Sequence, residues 1–116
     1  MRTLDGIQNE VDHLIKEEWQ SDYWTPLSSL ARLTEEVGEL AREINHSYGE
    51  KPKKSSEGRG SITSEIGDIL FIVAALANSI EVDLDAAFEA VMAKYRRRDA
   101  QRWSQGNQPR DDAAGN

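Results

Sequence analysis

The segment from Ile66 to Ile80, IGDILFIVAALANSI, is apolar on almost every side. A helix with that pattern is normally buried at the centre of a fold. A chain of 116 residues has room for one modest core and no second. Full burial of this helix therefore predicts that other helices wrap it and that another copy of the chain completes the bundle, most simply as a dimer. Two acids complicate the picture, because Glu65 and Asp68 stand three apart at the start of the same segment. Turning each residue by roughly 100° puts both on nearly the bearing of Ile72 and Leu76. Ionised carboxylates on an apolar bearing are costly unless something positive meets them.

The remaining spacing is helical too. Leu4, Ile7, Val11, Leu14 and Ile15 form one stripe, with Thr3 as its N-cap and an end near Gln20. Pro26 opens a second helix carrying Leu27, Leu30, Leu33, Val37, Leu40, Ala41 and Ile44, predicted to stop near His46. Residues 47–60 hold Gly, Pro, Ser and Lys without an aliphatic residue and read as a surface loop. Ser61 or Thr63 caps the third helix. Asp83 or Asp85 starts a fourth, with Leu84, Ala87, Phe88, Val91, Met92 and Tyr95 on one stripe. No β alternation is present. The expected organisation is a single all-α domain over residues 1–105, four helices that complete a bundle by oligomerisation, and a disordered tail over 106–116.

Composition removes several functions. The 14 Lys+Arg against 21 Asp+Glu leave a net charge of −7, which argues against polymeric nucleic acid or an anionic membrane as the main partner. The chain has no cysteine, so disulfides, thiolate zinc sites and cysteine nucleophiles are excluded. No signal-like run and no stretch long enough to span a bilayer is expected, and the cytoplasm is the default location.

The second helix repeats the acidic device. Glu36 and Glu39 are three apart, and with Glu43 they flank its apolar stripe. These acids, with Glu35, could be an ordinary solvated face, and Asp68 could pair with a buried arginine. Two such pairs on successive helices instead suit a shared divalent cation. Every donor is oxygen, which favours Mg²⁺ or Mn²⁺ over zinc or copper. A di-iron bundle would need Glu-x-x-His pairs, and neither His13 nor His46 follows a glutamate of the site in that way. A twelve-residue calcium loop, a phosphate-binding Gly-x-x-x-x-Gly-Lys-Ser/Thr loop and a Gly-x-Ser-x-Gly elbow are all missing. Hydrolysis here would be metal-assisted, with water as the nucleophile.

Glu-x-x-Glu, then 25 residues, then Glu-x-x-Asp resembles the signature of the MazG-type all-α nucleotide pyrophosphohydrolases. The likeness extends to ARLTEEVGELAREINHSYGEKP, EIGDILFIVAALANS and VMAKYRRRDAQRW, covers roughly residues 5–103, and is closest to the short single-domain members. It implies hydrolysis of a nucleoside triphosphate between the α and β phosphates. It also implies Mg²⁺ held by Glu36, Glu39, Glu65 and Asp68, and assembly as a homodimer or tetramer. Glu35, beside the first pair, is the candidate general base on the same likeness.

Further residues are candidates for substrate. Lys94 and Arg98, four apart on the fourth helix, could hold the β and γ phosphates or simply snorkel at a bundle edge. Asn78 either contacts sugar or base or joins two helices, and the resemblance favours substrate. Trp24 is the best placed of Trp19, Trp24 and Trp103 to stack on a base, although large aromatics usually pack. Lys51, Lys53, Lys54 and Arg59 could form a lid over phosphates or a plain solvated loop. The competing function is a helical oligomerisation or regulatory module that binds nucleotides without turning them over.

Overall fold

The computed structural model of the chain describes residues 1–49 and 61–104. Lys51, Lys53, Lys54, Arg59, the Trp103 side chain and the 106–116 tail lie outside the described side chains. The described residues are all-α, with no strand among them. Helix α1 covers Leu4–His13, α2 Pro26–Tyr48, α3 Ile62–Ser79 and α4 Leu84–Ser104. The chain divides into two compact units, one ending at Leu84 and the other beginning at Asp85.

Local chemistry sets the helix starts. Thr3 accepts a hydrogen bond from the Gly6 N–H at 3.0 Å, and Thr25 caps α2 through the Ser28 N–H at 3.2 Å, just ahead of Pro26. Of the two candidates for α3, Ser61 is the cap, accepting from Ser64 N–H at 3.1 Å. α2 runs two residues past His46, to Tyr48. The first helix departs further from expectation. It ends as an α-helix at His13 and continues as a π-helical turn, Leu14–Glu18. The Trp19 N–H reaches back to the Leu14 carbonyl at 2.8 Å, and Gln20 closes the turn in the left-handed region at φ 53°. The wider turn keeps Ile15 inward, only 2% exposed.

Within the first unit α1 and α2 each pack chiefly on α3. The core joins Val11 and Ile15 to Ala74 and Ala75, with Ile7, Tyr23, Trp24, Phe71 and Leu84 packed around them. α3 is thus the central helix, as its composition predicts, and Ile72, Ala74, Ala75 and Ala77 are buried. Its burial is one-sided, however, because Ile66 is 53% and Leu70 43% exposed. The expectation that no stretch could span a bilayer is corrected on length and composition alone. α3 has 18 residues of mean hydropathy 1.4, enough to qualify. Its apolar character has a local cause, since two helices pack against it and Glu65 and Asp68 interrupt it near its start.

A polar clamp ties α1 to the end of α3. Gln8 donates through Nε2 to Asn78 Oδ1 and to the Val82 carbonyl, each at 2.9 Å. Its Oε1 accepts from the Leu84 N–H at 2.9 Å, where α4 begins, and Asn78 Nδ2 returns a bond to the Gln8 carbonyl at 2.9 Å. Tyr23 donates to Asp12 nearby. Burial first, then the bond to Asp12, pushes the Tyr23 phenol up to about 12.

Candidate metal centre

Glu36 of the first acidic pair faces both members of the second because α2 and α3 run antiparallel. Trp24, just before α2, meets Phe71 at 6.5 Å between ring centroids, while twelve residues later Glu36 meets Glu65 and Asp68, which precede Phe71. One carboxylate oxygen from each of Glu36, Glu65 and Asp68 lies within 4.8 Å of the others. Glu36 and Glu65 are half-buried and Asp68 is exposed, so the cluster sits at the rim of the α2–α3 interface.

Glu65 is the innermost member. Its Oε1 is buried and has no hydrogen-bond partner among the described residues. The contact with Glu36 comes first in raising its pKa to about 6, followed by desolvation and by the charges of Glu36, Asp68 and Glu39. None of the three clustered carboxylates forms an ion pair with a described lysine or arginine of this unit, so the buried-salt-bridge alternative finds no support.

Glu39 stands apart from the other three. It is exposed, and its Oε1 lies 3.9 Å from Arg42 Nη2 on the next turn of α2. It still acts on Glu65 through its charge. Glu35 is exposed beside Glu36. Glu43, which the spacing sets with Glu36 and Glu39 at the flank of the apolar stripe, is buried at 6% exposure and is partnered.

The substrate candidates fall in different places. Asn78 lies ten residues beyond Asp68 on α3, roughly 15 Å along the axis, and its amide is engaged by Gln8. Trp24 is half-buried against Phe71, with the Arg32 guanidinium over its ring at 4.7 Å. In the second unit Lys94 Nζ and the Arg98 guanidinium both lie over the Tyr95 ring, at 5.5 and 4.9 Å. Arg32 was missed by the sequence reading. Its spacing, three and four residues before Glu35 and Glu36, was the available signal.

The donor set fits a hard divalent cation. It is all oxygen, contributed by two helices, mutually repulsive without a counter-charge, and it leaves one buried oxygen unsatisfied. An all-α fold that presents converging carboxylates at a helix–helix rim defines a helical protein with a candidate site for a hard cation.

Comparison with known proteins makes this specific. The MazG nucleotide pyrophosphohydrolase domain matches residues 24–103, and the chain belongs to that family. It is 50% identical to the protein YpjD of Bacillus subtilis over 103 residues, covering 89% of this chain and 92% of that one. The crystal structure of YPJD from Bacillus subtilis superposes with a TM-score of 0.71 at 50% identity, over 82% of this chain and 96% of that one. That of the Bacillus-conserved MazG protein, a nucleotide pyrophosphohydrolase, gives 0.69 at 39% identity, over 96% and 97%.

Proposed function

We propose that the chain is a Mg²⁺-dependent enzyme that hydrolyses nucleoside triphosphates, ribo- or deoxyribo-, between the α and β phosphates and so clears unwanted or modified nucleotides from the cytoplasm. The observation that carries this reading is the convergence of Glu36, Glu65 and Asp68 around an unsatisfied buried oxygen, in a chain of the MazG family. Glu36, Glu39, Glu65 and Asp68 would hold Mg²⁺, with Mn²⁺ as a substitute. Glu39 would join by releasing Arg42, an exposed contact of small energetic worth. When bound, the cation supplies charge neutralisation for the phosphates and a water of lowered pKa.

The chain's own residues do the rest. Glu35, exposed beside the cluster, takes the proton of the attacking water. The phosphoanhydride bond between the α and β phosphorus atoms breaks, and pyrophosphate leaves with the bridging oxygen or gains the water's oxygen, according to which phosphorus is attacked. Lys94 and Arg98 hold the β and γ phosphates. Trp24 flanks the nucleotide end. Asn78 contributes indirectly through the α1–α3 clamp, since direct contact would cost it Gln8. Assembly as a homodimer or tetramer fits the exposed Leu30, Val37 and Ile44 of α2 and Ile66 and Leu70 of α3.

The test is a pyrophosphate-release screen over canonical and damaged nucleotides with Mg²⁺ and Mn²⁺. Release that disappears with EDTA and with Asp68→Asn supports the proposal. Nucleotide binding with no turnover across the whole panel overturns it in favour of a regulatory binding module.

A further inference from the structure

The geometry points to Arg32, seated on Trp24 one turn from the carboxylates, as a residue that binds a phosphate oxygen of the nucleotide. Arg32 lies three and four residues before Glu35 and Glu36 on α2, the spacings at which an arginine and a glutamate ordinarily pair. Among the described residues it pairs with neither. Glu36 instead turns toward Glu65 and Asp68. The guanidinium lies 4.7 Å from the centre of the Trp24 ring. Trp24 is itself fixed edge-on to Phe71, and Phe71 packs at 6.1 Å from Trp19.

This aromatic layer adjoins the acidic layer on both helices. Arg32 is one turn before Glu36 on α2, and Phe71 is three residues after Asp68 on α3. Because the two helices are antiparallel, both steps lead in the same direction. The backbone of Arg32 therefore stands roughly 6 Å along the helix axis from that of Glu36, and its guanidinium has one face on an indole and no ion-pair partner among the described residues. A planar fork held that way is suited to bidentate contact with phosphate oxygens, and its charge offsets a substrate more anionic than the acids alone could accept.

The inference rests on the hydrolase reading and adds one binding residue to it. The test compares wild type with Arg32→Gln, Arg32→Lys and Trp24→Leu. Steady-state pyrophosphate release is read together with calorimetry of Mg²⁺ plus α,β-imido triphosphates, the monophosphates and the free nucleosides. Arg32→Gln is expected to raise KM about tenfold or more with a smaller change in kcat. It should leave Mn²⁺ binding to the carboxylates unchanged and weaken every phosphorylated ligand but no free nucleoside. Lysine should not restore KM, because it lacks the fork, and Trp24→Leu should move KM the same way by less. An unchanged KM, rescue by lysine, or equal loss of nucleoside binding overturns the inference. If wild type releases no pyrophosphate, the hydrolase reading fails, while the imido-analogue arm still decides Arg32. Equal binding of those analogues by wild type and Arg32→Gln, or none by either, overturns the Arg32 assignment.

Discussion

Replacing Glu65 with glutamine should stabilise the metal-free protein and abolish its response to Mg²⁺. Glu65 has a buried oxygen without a partner and a carboxyl held at about 6 instead of its usual 4.5, chiefly by Glu36. It therefore keeps its proton roughly thirtyfold more tightly in the fold than in the unfolded chain. A carboxyl raised in this way stabilises the fold while protonated. That contribution is complete below pH 4.5 and lost as the pH rises through 6. In EDTA, wild type should melt higher at pH 5 than at pH 7.5. Mg²⁺ reverses the preference, because the cation competes with the proton for the same oxygens. With free Mg²⁺ at a hundredfold its Kd, mass action adds about 2.7 kcal/mol, on the order of 10 °C or more in Tm for a domain of this size. Glutamine removes the charge and donates to Glu36. Glu65→Gln should thus melt higher than wild type in EDTA at pH 7.5, lose most of the difference between pH 5 and 7.5, and gain nothing from Mg²⁺. Differential scanning fluorimetry at both pH values, with and without Mg²⁺, reads all three effects. A variant that melts lower than wild type in EDTA yet keeps the full Mg²⁺ shift would mean that Glu65 is neither strained by Glu36 nor a ligand of the cation.

Ile72 is 2% exposed in the centre of α3. Ile72→Ala should cost about 2–5 kcal/mol in urea unfolding, with pyrophosphate release per folded molecule little changed. Gln8→Ala strips three side-chain hydrogen bonds from the end of α3 and the start of α4. It should destabilise by about 1–3 kcal/mol, visible as faster amide exchange at Val82 and Leu84. In a phenol absorbance titration one tyrosine, Tyr23, should ionise only near 12. The stability it lends is present below pH 10 and disappears as the pH climbs through 12, and Tyr23→Phe should remove that late step.

Much of this architecture was legible because the relevant forces are local. Thr3 and Ser61 mark helix starts by accepting hydrogen bonds from residues three positions on, and Pro26 marks one by its fixed ring at the first helical position, features that a linear sequence displays directly. The acidic pairs were legible for a similar reason, since a three-residue step fixes a helix face. That Glu36 meets Glu65 and Asp68 across α2 and α3 depends on antiparallel packing, which spacing alone does not specify. The π-helical turn at Leu14–Glu18 was not readable, because it arises where the chain must keep Ile15 against α3 while the helix ends. Spacing puts Glu43 only at the flank of the apolar stripe, and its burial is set by tertiary contacts. Arg32 was passed over because its partner, Trp24, sits outside the helix and is brought over it only by the fold.

α3 is the surface on which both earlier helices rest, and its first residue is Ile62. During synthesis, α1 and α2 would leave the ribosome with their apolar stripes uncovered and no partner helix yet made. Gln8 must wait for residue 84 before its amide is satisfied. The fold therefore closes late, and a nascent chain stalled within the first sixty residues would present exposed grease to chaperones.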